Sequence, residues 1–361
     1  MSAPSVLLEV EGLAKHFPIA RDIRGRPTAA VRAVDGVSFS LARGRTLAIV
    51  GESGCGKTTL SRMVMRLIEP TAGSIRFAGE PVREMSGAQL RAMRRRMQIV
   101  FQDPFSALDP RQPVRRMLAQ PLQLSGVSGR AQLKARSIEL LEMVGLNAGH
   151  LDRYPHEFSG GQRQRLCIAR ALASSPELLV ADEPVSALDV SVQAQIINLI
   201  NDLRRQTGIA LLLVTHDLGV VRQMADDVLV LYLGRVVEYS DADSLFSAPR
   251  HPYTRALLEA VPRATNRERE RVVAEGDVPS PIAPPSGCHF HPRCAFAMPD
   301  CKVTAPQLSP VSGAHSVSCH RWRDIPAFEA EKFGDDADTV MARRLRAFDA
   351  ANRRKFAAGQ R

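Results

Sequence analysis

The residues most able to do chemistry lie in a glycine-rich stretch in the first sixth of the chain. Its order matches the phosphate-binding pattern G-x-x-x-x-G-K-[ST]. Glycines let backbone N–H groups curl around a β-phosphate, Lys57 reaches the β- and γ-phosphates, and the Thr58 hydroxyl can coordinate Mg²⁺. We therefore predict a site for ATP and Mg²⁺ formed by Gly51, Glu52, Ser53, Gly54, Cys55, Gly56, Lys57, Thr58 and Thr59.

The segments around this stretch supply the context that the pattern requires. Residues 47–50 form a short apolar run typical of a buried parallel strand, and residues 59–68 can open a helix. A second apolar run at 178–181 ends in Asp182 and Glu183. Because open α/β sheets bind ligands at the carboxyl ends of their strands, we expect Asp182 to hold Mg²⁺ in its outer shell and Glu183 to polarise the attacking water. Taken alone, two acids at a strand end are also typical of a solvated strand end.

Further polar motifs along the chain resemble those of one known family. Residues 159–165, Ser-Gly-Gly-Gln-Arg-Gln-Arg, resemble the signature of ATP-binding cassette (ABC) proteins. Gln102 resembles the family's Q-loop, residues 186–189 its D-loop, and His216 its switch histidine. Phe17 lies where the family places an aromatic ring against adenine. The resemblance covers about residues 6–260.

The resemblance implies an α/β fold with a P-loop ATPase core, an antiparallel β subdomain, and a helical subdomain at about 106–173 after the Q-loop. Apolar residues at helical spacing in residues 130–144 agree with that subdomain. Gln102 is expected to contribute to Mg²⁺ binding beside Thr58, and to act with Glu183 and His216 in catalysis. In the family two cassettes meet head to tail, so Ser159 and Gly161 are expected to contact the γ-phosphate of the ATP bound by the partner. Further predicted nucleotide-binding residues are Gly160, Gln162 and Asp189.

A closer resemblance is to the ATPases of dipeptide and oligopeptide importers. It is carried by residues 182–195, by residues 249–254 and by a cysteine-bearing tail. An insertion at 21–32 resembles the "F" subunit of those importers, which pairs with a separate "D" ATPase. The resemblance implies a heterodimer that energises peptide uptake through two membrane permease subunits, served indirectly by an extracytoplasmic peptide-binding protein.

Composition agrees with this interpretation. The 361 residues are 45% hydrophobic, enough for a large core and a smaller unit. The longest apolar runs are far shorter than the roughly twenty residues that span a bilayer, and residues 1–10 lack a signal-peptide pattern. We therefore expect a peripheral protein on the cytoplasmic face of the inner membrane.

The net charge of +10 lies largely in arginine runs typical of solvated helix faces, and aromatic residues are only 5% of the chain. We therefore expect no nucleic acid partner.

The tail differs in composition from the rest of the chain. Four of its cysteines have the spacing C-x5-C-x6-C-x17-C, and in a cytosolic protein such clustering favours metal over disulfides. Structural zinc and an iron–sulfur cluster both fit four thiolates, and nearby histidines keep mixed zinc coordination open. The family resemblance favours a [4Fe–4S] cluster, with zinc as the alternative. The predicted ligands are Cys288, Cys294, Cys301 and Cys319.

These expectations divide the chain into an ATPase domain at 6–262, a four-cysteine region at 263–325 and a charged helical extension at 326–361. Cys55 and Cys167 are predicted to be packing residues, and loss of the cluster is expected to spare ATP binding at Lys57. Three alternatives remain: an importer of nickel, glutathione or another small solute, a soluble ABC ATPase of translation or DNA repair, and a regulatory module that only binds. The last is expected to lack Glu183 or His216, and both are present.

Overall fold

The structure, a computed structural model, describes residues 5–21, 27–261 and 276–328. The strands are β1 Val6–Arg21, β2 Pro27–Ala42, β3 Thr46–Val50, β4 Ala72–Phe77, β5 Glu80–Pro81, β6 Met97–Val100, β7 Leu178–Asp182, β8 Ala210–Thr215, β9 Asp227–Tyr232, β10 Arg235–Asp241, β11 Ser309–Ser312 and β12 His315–Val317. The helices are α1 Lys57–Val64, α2 Gly87–Arg96, α3 Pro104–Ala107, α4 Val114–Leu124, α5 Arg130–Met143, α6 Gly160–Leu172, α7 Val190–Thr207, α8 Leu218–Met224, α9 Ala242–Ser247, α10 Pro252–Glu259 and α11 Pro299–Val303. Short 3-10 turns lie at Val82–Glu84, Ala148–His150, Pro155–Glu157 and His291–Arg293.

The larger sheet positions the side chains predicted to act in catalysis. Its strand order is β11-β12-β10-β9-β3-β8-β7-β6, in which β9, β3, β8, β7 and β6 run parallel. Strands β3, β7 and β8 are buried along their whole length, as expected for parallel strands covered on both faces. Their carboxyl ends meet at one edge of the sheet, where β3 leads into the phosphate loop and β7 ends at Asp182.

The smaller sheet is antiparallel, with strand order β2-β1-β4-β5. Leu8, Val10 and Phe77 of this sheet share one hydrophobic cluster with Leu60 and Met63 of α1. The sheet therefore packs against the helix that follows the phosphate loop. The predicted antiparallel β subdomain is therefore present.

Helices α3 to α6 form the helical insertion between β6 and β7. The helix predicted at 130–144 is α5, and the helix that carries the signature, α6, begins at Gly160. Leu118 of α4, Leu141 of α5 and Ile168 of α6 are buried in one hydrophobic cluster that includes residues of β7, β8 and β9. The helical insertion therefore packs against the larger sheet.

The cysteine-rich tail adds strands to the larger sheet. The difference in composition between the tail and the rest of the chain does not predict this. Strand β12 pairs with β10, placing Val317 opposite Glu238. The fully buried Glu238 carboxylate accepts hydrogen bonds from the backbone N–H of His251 (2.9 Å) and from Nε2 of His315 (2.8 Å). Because a buried carboxylate without partners is costly, these bonds stabilise the junction of tail and core. The predicted domain boundary at 262/263 and nearly all of the predicted extension at 326–361 lie outside the described residues.

Candidate functional site

The phosphate loop is closed by two glycines that no other residue could replace without strain. Gly51 has φ +155° and Gly56 has φ +109°. A Cβ on Gly51 would lie 2.2 Å from the carbonyl oxygen of Leu231, and one on Gly56 would lie 2.0 Å from that of Ala33. Strands β9 and β2 thus press directly on the loop, so its curved conformation depends on glycine at both positions.

Lys57 is held inside the loop. Its side chain is buried, and Nζ donates hydrogen bonds to the carbonyl oxygens of Gly51 (2.7 Å) and Glu52 (2.9 Å). Burial raises the pKa of the neighbouring Cys55 thiol. Cys55 is 4% exposed and Cys167 is 2% exposed, and both pack in hydrophobic clusters. The two cysteines outside the tail are therefore packing residues, as predicted.

The hydroxyl and carboxylate expected at the Mg²⁺ site face each other. Thr58 Oγ1 donates to Asp182 Oδ1 at 3.2 Å, and Ser61 Oγ lies 3.4 Å from Asp182 Oδ2. Burial raises the pKa of the Asp182 carboxyl, and the Thr58 hydrogen bond partly offsets this rise. Oxygen ligands of this kind are the ones that Mg²⁺ prefers, so the pair can hold the ion.

Glu183 lies between the two side chains that sequence analysis assigns to catalysis with it. Gln102 Nε2 donates to Oε2 at 3.1 Å, and His216 Nδ1 lies 3.1 Å from Oε1. Glu183 itself has φ +48°, a conformation that costs free energy in a residue with a side chain. Its backbone N–H donates to the carbonyl oxygen of Val214 on β8 (2.8 Å), which holds this conformation. Three residues far apart in sequence are thus brought together at the strand ends.

The signature residues lie apart from this group, on the exposed start of α6. Ser159 caps the helix: its hydroxyl accepts from the backbone N–H of Gln162 (3.4 Å), and its own N–H donates to Gln162 Oε1 (3.0 Å). A Cβ on Gly161 would lie 2.4 Å from Val192 on α7, whereas one on Gly160 would meet Leu188 at 3.5 Å. A side chain at position 161 would therefore have to displace Val192.

The predicted roles of Asp189 and Phe17 in nucleotide binding stay predictions. Asp189 is exposed and precedes α7 without a side-chain capping bond. Phe17 is partly buried on β1, opposite Val31 of β2, with Lys15 Nζ 5.1 Å from the centre of its ring. The hairpin that carries Phe17 meets the phosphate loop where Gly56 contacts Ala33.

The four tail cysteines line one pocket. Its wall also includes Phe290, His251 and other residues of the tail and α10, and the cysteines are Cys288, Cys294, Cys301 and Cys319. Burial raises the pKa of Cys294 to about 11 and that of Cys319 to about 12. Within the described ranges, no three His, Cys, Asp or Glu side chains are arranged so that they could hold one metal ion as they stand. A metal-binding tail therefore stays a prediction.

Three residues at the site were not foreseen. Ser61 lies four residues after Lys57 and three after Thr58, a helical spacing that could have identified it. The Tyr253 hydroxyl accepts from the backbone N–H of Glu52 (2.8 Å), and Arg293 pairs with the Glu52 carboxylate (2.7 Å). No local sequence pattern connects these two residues with a loop about two hundred residues away.

Comparisons with known proteins agree with this geometry. A family model described as ABC transporter matches residues 34–186, and one described as Oligopeptide/dipeptide transporter, C-terminal region, matches residues 237–301. A probable peptide ABC transporter ATP-binding protein of Sinorhizobium fredii is 50% identical over 315 residues, covering 87% of this chain and 89% of that protein. The chain belongs to the ABC transporter family. It is an ABC ATPase of the branch that carries the oligopeptide/dipeptide transporter C-terminal region.

Other relatives agree with this placement. The oligopeptide transport ATP-binding protein AppF of Bacillus subtilis is 48% identical over 318 residues, covering 87% of this chain and 97% of AppF. A putative peptide import ATP-binding protein of Brucella ovis is 49% identical over 316 residues, covering 87% and 98%. The resemblance seen in the motifs is thus confirmed over most of this ABC ATPase.

Solved structures match the ATPase core. The cassette MJ0796, in a dimeric post-hydrolysis state bound to ADP and Pi, matches with a TM-score of 0.59 and 27% identity, covering 65% of this chain and 99% of that one. The cbiO1 protein of Clostridium perfringens matches with a TM-score of 0.58 and 27% identity, covering 67% and 90%. Among the described helices of this ABC ATPase, none is both long and apolar enough to cross a membrane.

Proposed function

We propose that this chain is one of two ATPase subunits that power the import of dipeptides and oligopeptides through an ABC transporter. One observation carries the proposal: the site that gathers Gln102, Glu183 and His216 occurs in the same chain as a C-terminal region of the oligopeptide/dipeptide transporter type. The relatives near 50% identity are named as peptide transport or import proteins, which supports the same substrate class.

The phosphate loop would hold the triphosphate, with its backbone N–H groups and Lys57 on the β- and γ-phosphates. Thr58, Gln102 and Asp182 would form the protein side of the Mg²⁺ site. Glu183 would accept the proton of the attacking water, and His216 would fix the orientation of that carboxylate. The bonds that Glu183 makes with Gln102 and His216 support this division of roles, because they hold both carboxylate oxygens.

The second half of each ATP site would come from a partner ATPase of the "D" type. Ser159, Gly160, Gly161, Gln162 and Asp189 lie on the surface at the start of α6 and α7, where the amino end of a helix can bind a phosphate group. The dimeric state of the cassette MJ0796 supports pairing in this family. ATP would favour the closed pair because it contacts both subunits there, and hydrolysis would reopen it.

The helical insertion would transmit this movement to two membrane permease subunits. It lies between β6 and β7, directly after Gln102, so a change at the γ-phosphate can reach it through that side chain. The chain would then be a peripheral protein at the cytoplasmic face of the inner membrane. An extracytoplasmic binding protein would deliver the peptide to the permeases, without touching this chain.

The cysteine pocket would hold a [4Fe–4S] cluster with a structural role. Four thiols line it, and the backbone N–H of Arg321 donates to Cys319 Sγ (3.4 Å), the type of bond that stabilises cluster sulfurs. A single zinc ion needs four sulfurs about 2.3 Å away. Zinc on the same four thiols, which line one pocket, is therefore the alternative to the cluster. When bound, the cluster would link four tail segments covalently.

Reconstitution tests the transport function. The chain, its partner ATPase and two permeases would be placed in proteoliposomes with a peptide-binding protein, and ATP-dependent uptake of labelled di- and tripeptides would be measured. We expect uptake that disappears with Glu183→Gln in this chain. Uptake of nickel or glutathione instead of peptides would contradict the substrate class, and failure to copurify with any permease would contradict transport.

Metal analysis tests the tail. Protein purified without oxygen is expected to contain about four irons per chain and to absorb broadly in the visible range, as [4Fe–4S] clusters do. Cys294→Ser should lose both signals, whereas Cys167→Ser, which changes a core cysteine outside the pocket, should keep them. Stoichiometric zinc without iron would contradict the cluster and support the alternative.

A further inference from the structure

The cysteine-rich tail is joined directly to the phosphate loop by one ion pair. Arg293 Nη1 donates to Glu52 Oε2 at 2.7 Å, and Nη2 donates to Oε1 at 2.9 Å. The Arg293 side chain is only 7% exposed and that of Glu52 is 28% exposed. Paired, charge-assisted bonds of this geometry are among the stronger polar contacts in proteins, and partial burial limits their screening by salt. Glu52 is the second residue of the phosphate loop.

The surroundings of the pair hold both partners in place. The Arg293 guanidinium lies 5.9 Å from the ring centres of Tyr232 and of Phe290, and Phe290 is buried. The Tyr253 hydroxyl accepts from the backbone N–H of Glu52, so the loop is held through its main chain as well as its side chain. Strand β9, helix α10 and the tail therefore meet at one residue of the phosphate loop.

The charge of Glu52 gives the pair a consequence for nucleotide binding. A carboxylate in a loop that binds a triphosphate repels the ligand, because both are negative. The Arg293 guanidinium neutralises that carboxylate at hydrogen-bond distance. Glu52 can then bind the phosphate loop to the tail, because the ion pair adds no net negative charge beside the phosphates.

We propose that Arg293 is a positioning residue that neutralises Glu52, and that it couples nucleotide affinity to the docking of the cysteine-rich tail. Arg293 directly precedes Cys294, and Phe290 follows Cys288 by two residues, so both contact residues lie on the loop between two pocket cysteines. Any change that displaces this loop removes the counter-charge from Glu52. Coupling between two binding events is reciprocal, so bound nucleotide in turn stabilises the docked tail.

This coupling revises one expectation from the sequence. From the sequence alone, loss of the tail cluster is expected to spare ATP binding at Lys57. The contacts connect Cys294 to Arg293, Arg293 to Glu52, and the Glu52 carbonyl to Lys57. Disturbing the tail is therefore expected to weaken nucleotide binding.

Equilibrium binding of a fluorescent ATP analogue to the full chain tests the proposal. Arg293→Ala is expected to raise Kd about 10- to 150-fold, the range for loss of a charge-assisted bond. Adding Glu52→Gln to that variant should restore Kd to within about threefold of the wild type, since it removes the unpaired charge. Arg321→Ala is the matched control, because Arg321 also lies near a pocket cysteine but pairs with Asp324, and its Kd should stay within about twofold.

Three binding results would overturn the proposal: an unchanged Kd in Arg293→Ala, an equal loss in Arg321→Ala, or no rescue by Glu52→Gln. The last result would mean that Arg293 acts only in tail folding. If Arg293→Ala does not fold, Arg293→Lys replaces it, because lysine keeps the charge but not the paired bonds and should give an intermediate Kd. In the wild type, nucleotide should slow proteolysis of the tail, and in Arg293→Lys this protection should shrink. Equal protection in both proteins would contradict the coupling.

Discussion

The two halves of the nucleotide chemistry are built differently in this chain. Around the phosphate loop, side chains from separate segments of the chain bond to one another, as in Thr58 with Asp182 and Gln102 with Glu183. At the signature, Ser159 bonds within its own helix, to Gln162, and faces outward. The first half is thus organised within one chain. The second is a rigid, exposed helix end, which is what a surface that meets a partner's ligand requires.

The largest expected effect tests whether the first half is complete. Glu183→Gln should lower turnover by about 10²- to 10⁴-fold, because the amide cannot accept the proton of the attacking water. ATP binding should remain, since Lys57 and the loop are unchanged. Steady-state hydrolysis and nucleotide binding would be measured on the assembled pair. Glu177→Gln is the control, because Glu177 lies at the opposite end of β7 and pairs with Arg96. Near-normal turnover in Glu183→Gln would show that another residue activates water.

The next prediction tests whether the second half acts on the partner. Ser159→Arg is expected to lower hydrolysis at the partner's ATP by about 10²-fold, the usual cost of losing a positioned donor. Labelling with a photoreactive ATP analogue should fall on the partner subunit and persist on this chain. Ser128→Arg, in an exposed loop of the same helical insertion, is the control. Equal loss of labelling on both subunits would contradict the division between the halves.

Lys57→Ala is expected to weaken ATP binding, whereas Glu183→Gln is expected to lower turnover. Removing an ammonium that faces the phosphates should cost about 1.5–3 kcal/mol, or about 10- to 100-fold in ATP affinity. A binding titration on the isolated chain measures this directly. Lys134→Ala, on the exposed side of α5, should leave affinity unchanged. Equal ATP affinity in Lys57→Ala and Glu183→Gln would contradict the roles given to these two residues.

The smallest effect concerns Gly161, which belongs to the signature and also packs against α7. Gly161→Ala should lower the free energy of unfolding by about 1–3 kcal/mol, because the new methyl group would overlap Val192. Gly160→Ala is a matched control: its methyl group would meet Leu188 at an ordinary distance. Thermal and denaturant unfolding of both variants measures the difference. Equal stability would show that α7 moves aside, and would leave phosphate contact as the reason for Gly161.

Most of the site could be predicted because its residues lie in short motifs with fixed neighbours. The apolar runs before Gly51 and before Asp182 identify buried parallel strands, and such strands present their following residues at one sheet edge. The position of the cysteine-rich tail could not be predicted from short motifs. Its proline-rich start and low apolar content predict a separate unit, whereas Phe290 packs with Tyr232 and Tyr253 in the core cluster.

The sequence by itself determined the family, the phosphate loop and the group of Gln102, Asp182, Glu183 and His216, because each depends on local patterns. Only the tertiary structure decided what holds that loop in place. The clamp of Arg293 on Glu52 joins residues 241 positions apart, and the Tyr253 hydroxyl reaches the same residue across 201 positions. Such contacts leave no periodic or local signal, since they depend on β12 pairing with β10 and on Phe290 entering the core. Long-range packing, which no short motif encodes, therefore decides how the tail and the nucleotide site meet.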